Sequence, residues 1–108
     1  MTNTLKILGQ TATTLSLTSL YTVGAGVQTT VSTLLACNTG STPTTFSMSV
    51  SLGGAADDIK QYIYYNVPIN GNDTFAATIG LTLGAADVIR VKSGNGACSF
   101  SAFGIEKT

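Results

Sequence analysis

The chain has 108 residues, and five Lys and Arg balance five Asp and Glu to give a formal net charge of zero. Only 9% of residues are charged and there is no His or Trp, against about 25% charged in an ordinary globular domain. Such a chain lacks the basic footprint of a nucleic-acid binder, and without His it lacks the commonest general base and metal ligand.

The length fits one small domain, 1–108, and 44% hydrophobic residues are enough for a core. No run approaches the ~18 consecutive apolar residues of a membrane span. The opening Met1-Thr2-Asn3-Thr4-Leu5-Lys6 does not read as a secretory signal, because no apolar run follows a basic stretch. Near-zero charge leaves association unopposed. Abundant Thr and Ser can equally hydrate a surface without charge.

Residues 1–14 form a Thr-rich stretch around the apolar island Lys6-Ile7-Leu8-Gly9-Gln10. They read either as an edge strand that closes a sheet or as an arm that adds a strand to a neighbour. Strands follow at 15–18 and 20–23. In the long run 27–38, Val27, Val31, Leu35 and Cys37 share a face with Thr29 and Thr33, with a bend expected near Leu34-Leu35. In 45–52, Phe46, Met48, Val50 and Leu52 fall on one face and Ser47, Ser49 and Ser51 on the other, the pattern of a half-buried strand. Further strands are expected at 61–67, 74–80, 88–92 and 98–105. Gly, Asn and Asp punctuate them, as turns needing positive φ or backbone-bonding side chains require. No segment has sustained helical periodicity, and 55–60 has room for one turn of helix. About seven or eight short strands at this spacing specify an all-β antiparallel sandwich.

Chemistry is sparse. Asp57 and Asp58 are adjacent, so their side chains diverge, and a solvated turn is the expectation. Asp73 and Asp87 each precede a strand and read as turn caps bonding backbone N–H groups. Asn70, Asn72 and Asp73 offer oxygen atoms for Ca²⁺ at a spacing too common to specify a site, so no metal and no cofactor is expected. A Ser or Thr nucleophile needs a base, and Lys6, Lys60, Lys92 and Lys107 show no Ser-Lys signature, so a non-enzymatic role is expected. Cys37 and Cys98 have no CxxC spacing; two free thiols and one disulfide both fit. The tyrosines of Gln61-Tyr62-Ile63-Tyr64-Tyr65-Asn66-Val67 are the other candidate. By alternation Tyr62 and Tyr64 share a face, presented outward if Ile63, Tyr65 and Val67 are core, where they can stack on sugars or anchor an interface.

Several motifs occur in an order that resembles the small β-sandwich virion proteins of tailed bacteriophages and prophages. They are Lys6-Ile7-Leu8-Gly9-Gln10, Leu20-Tyr21-Thr22-Val23 leading through Gly26 to Thr29-Thr30-Val31, and Cys37-Asn38. Then come Lys60-Gln61-Tyr62-Ile63-Tyr64-Tyr65, Pro68-Ile69 with Asn72-Asp73-Thr74, Leu81-Thr82-Leu83 with Asp87, and Ser99-Phe100-Ser101-Ala102-Phe103-Gly104. The resemblance covers nearly the whole chain, and each motif alone is a common strand-and-turn sequence. One departure is Gly24, which stands where the family usually has Pro after the Tyr-Thr-Val strand and loosens that turn.

The resemblance implies a jelly-roll-like sandwich with a short N-terminal arm, located in the virion after assembly in the bacterial host cytoplasm. It brings no catalytic residues. Its first functional expectation is a capsid decoration, or cement, protein. That protein binds the major capsid protein or other virion proteins, forms a homo-oligomer (a trimer favoured), and stabilises the shell by binding only the assembled state. Lys6, Ile7 and Leu8 are the expected contacts, with Tyr62 and Tyr64. The alternative is a tail-fibre or receptor-binding module recognising a host-surface glycan through Tyr62 and Tyr64. Neither reading involves nucleic acid or membrane.

Overall fold

Alternation of apolar and polar residues becomes eight antiparallel strands. The structure, a computed structural model, describes residues 2–12 and 15–108. The strands are β1 (Asn3–Thr11), β2 (Thr18–Thr22), β3 (Gln28–Asn38), β4 (Thr44–Ser51), β5 (Tyr62–Ile69), β6 (Asp73–Leu83), β7 (Val88–Ser93) and β8 (Cys98–Lys107). Two 3-10 turns, Leu52–Gly54 and Ile59–Gln61, lie between β4 and β5. The expected strand at 15–18 is absent: Leu15 and Ser16 are bends, and β2 begins at Thr18.

The strands form two four-stranded sheets, ordered β1-β8-β3-β6 and β2-β7-β4-β5. β1 pairs with β8, β2 with β7, β3 with β6 and β4 with β5. The chain is thus one long hairpin, turned at the β4–β5 connection and rolled up so that β8 also meets β3 and β7 also meets β4. That winding is the jelly roll, which takes up long hairpins in two facing sheets.

The N-terminal stretch is an edge strand. β1 pairs along β8 from Asn3 opposite Lys107 to Thr11 opposite Phe100. Leu8 joins the core. Met1, Thr13 and Thr14, also part of the expected arm, lie outside the described residues.

The core lies between the sheets. Phe46, Met48, Ile89 and Val91 from the second sheet face Val31, Leu34, Ala36, Phe100 and Ala102 from the first. At one end Phe46 packs on Phe75 (centroids 5.0 Å apart) and edge-on to Phe100 (6.4 Å), and Tyr64 packs edge-on to Phe75 at 5.1 Å.

Three expectations about faces are corrected, two of them by bulges. In β3 the register shifts between Val31 and Thr33 against both neighbours. An unpaired residue there reverses the phase. Thr29 and Val31 point inward, but beyond the bulge Leu34, Ala36 and Asn38 do, and Leu35 and Cys37 move to the outer side. Cys98 is buried in the core, so the two cysteines sit on opposite sides of the first sheet, and both are free thiols. In β5, shifts on either side of Met48 give β5 extra residues. They seat Tyr64 opposite Met48 and Val67 opposite Phe46, both against the core, and Tyr62 opposite Ser49. In β4 the apolar phase holds at Phe46 and Met48, but Leu52 leaves the strand and is 82% exposed. The serine face is not wetted either: Ser47, Ser49 and Ser51 are all buried. β4 lies between β7 and β5, and the short serines pair with longer residues, Ser47 with Lys92 and Ser49 with Arg90 and Tyr62.

Two close approaches require glycine. A Cβ on Gly9 would run into the carbonyl oxygen of Leu20, where β1 crosses β2, and one on Gly104 into that of Thr30. Gly9 follows a register shift in β1 after Ile7, and Gly104 faces the shift in β3 at Val31, where the backbones draw together.

Candidate functional site

The outer face of the first sheet is apolar along one edge. Alternation in β1 puts Leu5 and Ile7 on that face, opposite Ile105 and Phe103 of β8. Leu5 is 81% and Ile7 53% exposed. With Thr30 and Ser32 of β3, these two strands line a shallow groove of about 310 Å³ through Leu5, Phe103 and Ile105. β1 is also the end strand of its sheet, so its outward backbone N–H and C=O groups lack ladder partners. An apolar patch and an unpaired strand edge therefore coincide.

Of the residues singled out in the sequence here, Ile7 is presented on this face and Lys6 borders the groove. Leu8 is in the core. The Lys6 ammonium is 3.1 Å from Glu106 Oε1 in an ion pair at the rim between the sheets. The Tyr21 hydroxyl reaches from β2 to donate to Glu106 Oε2 at 2.5 Å and lies 2.8 Å from Thr29 Oγ1. The Tyr21 and Lys6 hydrogen bonds hold the Glu106 carboxyl below the usual carboxylate range. Burial, then the Glu106 carboxylate, pushes the Tyr21 hydroxyl up to about 12. This chain of contacts fastens β1 and β8 to β2, so Lys6 is committed to the fold. Sequence reasoning missed Leu5, Phe103 and Ile105, although period-2 alternation from Ile7 would have reached Leu5.

The outer face of the second sheet has different chemistry. The Tyr62 and Tyr65 rings meet edge-on with centroids 4.9 Å apart, and Tyr65 is 55% exposed. Tyr64, singled out as the partner of Tyr62, lies beneath with Phe46 and Phe75. The outward pair is thus Tyr62 and Tyr65, brought together by the β5 bulge. Asn66, at φ 49°, sits in the left-handed region beside it, which Asn tolerates better than most residues. The Tyr62 hydroxyl donates to Asp57 at 3.4 Å, and burial and that carboxylate raise its pKa.

Next to the tyrosines, Leu15, Thr45, Phe46, Ser47, Asn66, Lys92, Ser93 and Gly94 line a small cleft of about 160 Å³. Ser47 Oγ accepts from the Asn66 backbone N–H at 2.9 Å. The two cations of β7 differ. Arg90 donates to Ser51 Oγ at 2.6 Å and to the carbonyls of Ala55 and Gly54 at 2.9 and 3.3 Å, tying down the connection after β4. Lys92 has no carboxylate partner: Lys6–Glu106 is the one ion pair among the described residues.

The remaining carboxylates support the backbone. Asp87 accepts from the N–H groups of Gly53 and Gly84, both at 2.8 Å, and Asp73 from that of Thr74 at 2.8 Å, the turn-capping roles expected for them. Asp58 and Gln61 form a capping box on the second 3-10 turn. The Asn38 amide, fully buried, donates to the carbonyls of Thr42 and Asn70 and accepts from Gly40, lacing the loops at one end of the sandwich. Among the described residues no three of His, Cys, Asp and Glu gather as metal ligands.

Compared with known proteins, the chain matches no family, no curated sequence and no solved structure.

Proposed function

We propose that this chain is a non-enzymatic virion structural protein, a capsid decoration protein that binds the assembled shell through the outer face of β1 and β8. The observation that carries the reading is the coincidence, on β1, of an unpaired strand edge with exposed Leu5 and Ile7 beside Phe103 and Ile105. Burying each such aliphatic side chain against a partner contributes about 1.5–3 kcal/mol, and strand addition supplies backbone hydrogen bonds. A jelly roll of 108 residues with zero net charge suits dense packing on a lattice of neighbours. The major capsid protein is the partner, and self-association into a trimer is part of the reading. Binding only the assembled shell stabilises that shell by mass action.

The alternative, a tail-fibre module, is favoured by the Tyr62–Tyr65 pair on the second sheet. Immunolabelling of intact particles separates the two. Label over the whole shell, with particles that lack the chain opening at lower temperature, supports decoration. Label confined to the tail removes it.

A further inference from the structure

We propose that the outer face of the second sheet binds an acidic saccharide, a pyranose carrying a carboxylate, with Tyr62 and Tyr65 as the stacking surface and Lys92 as the carboxylate partner. The inference uses the face opposite the proposed shell contact and holds for either location in the particle.

Geometry comes first. Tyr62 and Tyr65 are presented together because the β5 bulge breaks alternation; a regular strand would have placed them on opposite faces. A tilted aromatic pair on a surface leaves ring face and edge available to the C–H side of a sugar ring. Lys92 is opposite Ser47, and Ser47 faces the bulged stretch that holds Tyr65 and Asn66. Strands lie about 4.8 Å apart, so Lys92 and Tyr65 start about 10 Å apart across β4, roughly the reach of one pyranose with its substituent.

The cleft sets the chemistry. At about 160 Å³ it is smaller than the ~300 Å³ of sites that enclose a whole ligand. It holds one substituent of a ligand that lies along the surface. Its polar lining includes Lys92, Thr45 and Asn66, beside the apolar Leu15 and Phe46; Ser47 also lines it but is buried, with its hydroxyl bonded to Asn66. A carboxylate suits that donor set, because charge-assisted hydrogen bonds are the strong ones. Of the two cations on β7, Arg90 is consumed by the loop after β4, which leaves Lys92 for a ligand. Opposite Tyr62 on β4, Ser49 Oγ is buried without a hydrogen-bond partner, although such hydroxyls are normally satisfied.

The test is titration of the isotopically labelled full chain, followed by amide shifts, with two sugars: a glucuronate-containing tetrasaccharide and a neutral glucose tetrasaccharide. The expected result is saturable shifts at Ser47, Tyr62, Tyr65, Asn66 and Lys92 with the acidic sugar, and affinity at least tenfold weaker for the neutral one. Lys92→Gln is expected to erase that difference while weak binding of both sugars persists. Tyr65→Ala is expected to weaken both about tenfold or more. Tyr65 is exposed, and an unchanged amide spectrum away from β5 verifies that each variant folds. Equal affinity for the two sugars overturns the acidic assignment. Shifts elsewhere, or no saturable shift with either sugar, overturn the site.

Discussion

The two outer faces of this sandwich come from the same alternation and end with opposite chemistry. On the first sheet, Leu5, Ile7, Phe103 and Ile105 make an apolar margin beside an unpaired edge. On the second, buried serines lie between a basic strand and a tyrosine pair. Position in the sheet makes the difference. β1 is an edge, so its outward side chains have a neighbour on one side only and stay exposed. β4 is internal, so its short outward side chains are covered from both sides. A face is therefore determined as much by the strands beside it as by its own sequence.

The comparison can be broken most severely at β1. Were residues 1–14 an arm, one of the two sequence readings, they could be removed without harm to the sandwich. The structure predicts otherwise: deleting residues 2–10 removes the pairing with β8, Leu8 from the core and the Lys6–Glu106 ion pair. The truncated chain is expected to lose its cooperative unfolding transition, read by circular dichroism on heating. A sharp transition near that of the full chain would restore the arm.

Phe46→Ala strikes the core that both sheets share. Phe46 is buried and touches Tyr64, Phe75 and Phe100, and such truncations cost about 3–5 kcal/mol. A lower midpoint in urea is expected with an unchanged slope, since two-state unfolding exposes the same surface.

A smaller effect is expected at the rim. Tyr21→Phe removes the hydroxyl that Glu106 accepts from, at a cost of about 1–3 kcal/mol. The signs of the pH dependence follow from the two groups. Glu106 has a lowered pKa in the fold, so its contribution is present above the ordinary carboxylate value of 4.5 and is lost as pH falls through the folded value. Tyr21 has a raised pKa, so its contribution is present below 10 and is lost as pH rises from there to about 12. Tyr21→Phe is expected to flatten both limbs of the stability profile. An unchanged profile would detach the rim from stability.

The smallest effect lies at the thiols. Cys37→Ser, on a half-buried outer position, is expected to shift stability by no more than about 0.5 kcal/mol. In the native protein Cys98 is expected to alkylate far more slowly, because burial raises its pKa and hides it. A mass showing both thiols oxidised to one bridge would contradict their placement on opposite sides of the sheet.

Much of the fold is legible in the residues. The alternation at Phe46 and Met48 and the turn-forming Asp73 and Asp87 lead directly to strands and caps. Bulges are not legible in that way. Alternation carried through Val31 puts Leu35 inside and Ala36 outside, and carried through Tyr65 it pairs Tyr62 with Tyr64. Unpaired residues reverse each assignment, and their cause is a register set by strands distant in sequence. Asn66, which tolerates a positive φ, is the one local hint of the shift in β5. The edge position of β1 is equally non-local, since it depends on β8 arriving beside it. The candidate site was accordingly half visible: Ile7 and Tyr62 were identified, and their true companions Leu5 and Tyr65 emerge only from pairing.

The central claim is that the first sheet's face, and not the second's, meets the shell. Co-sedimentation with particles assembled without this chain tests it with two surface variants. Leu5→Asp with Ile7→Asp changes exposed side chains and is expected to keep the fold while abolishing co-sedimentation. Tyr62→Ala with Tyr65→Ala is expected to bind particles at full occupancy. Full occupancy by the aspartate variant, with loss of binding by the tyrosine variant, would contradict the account.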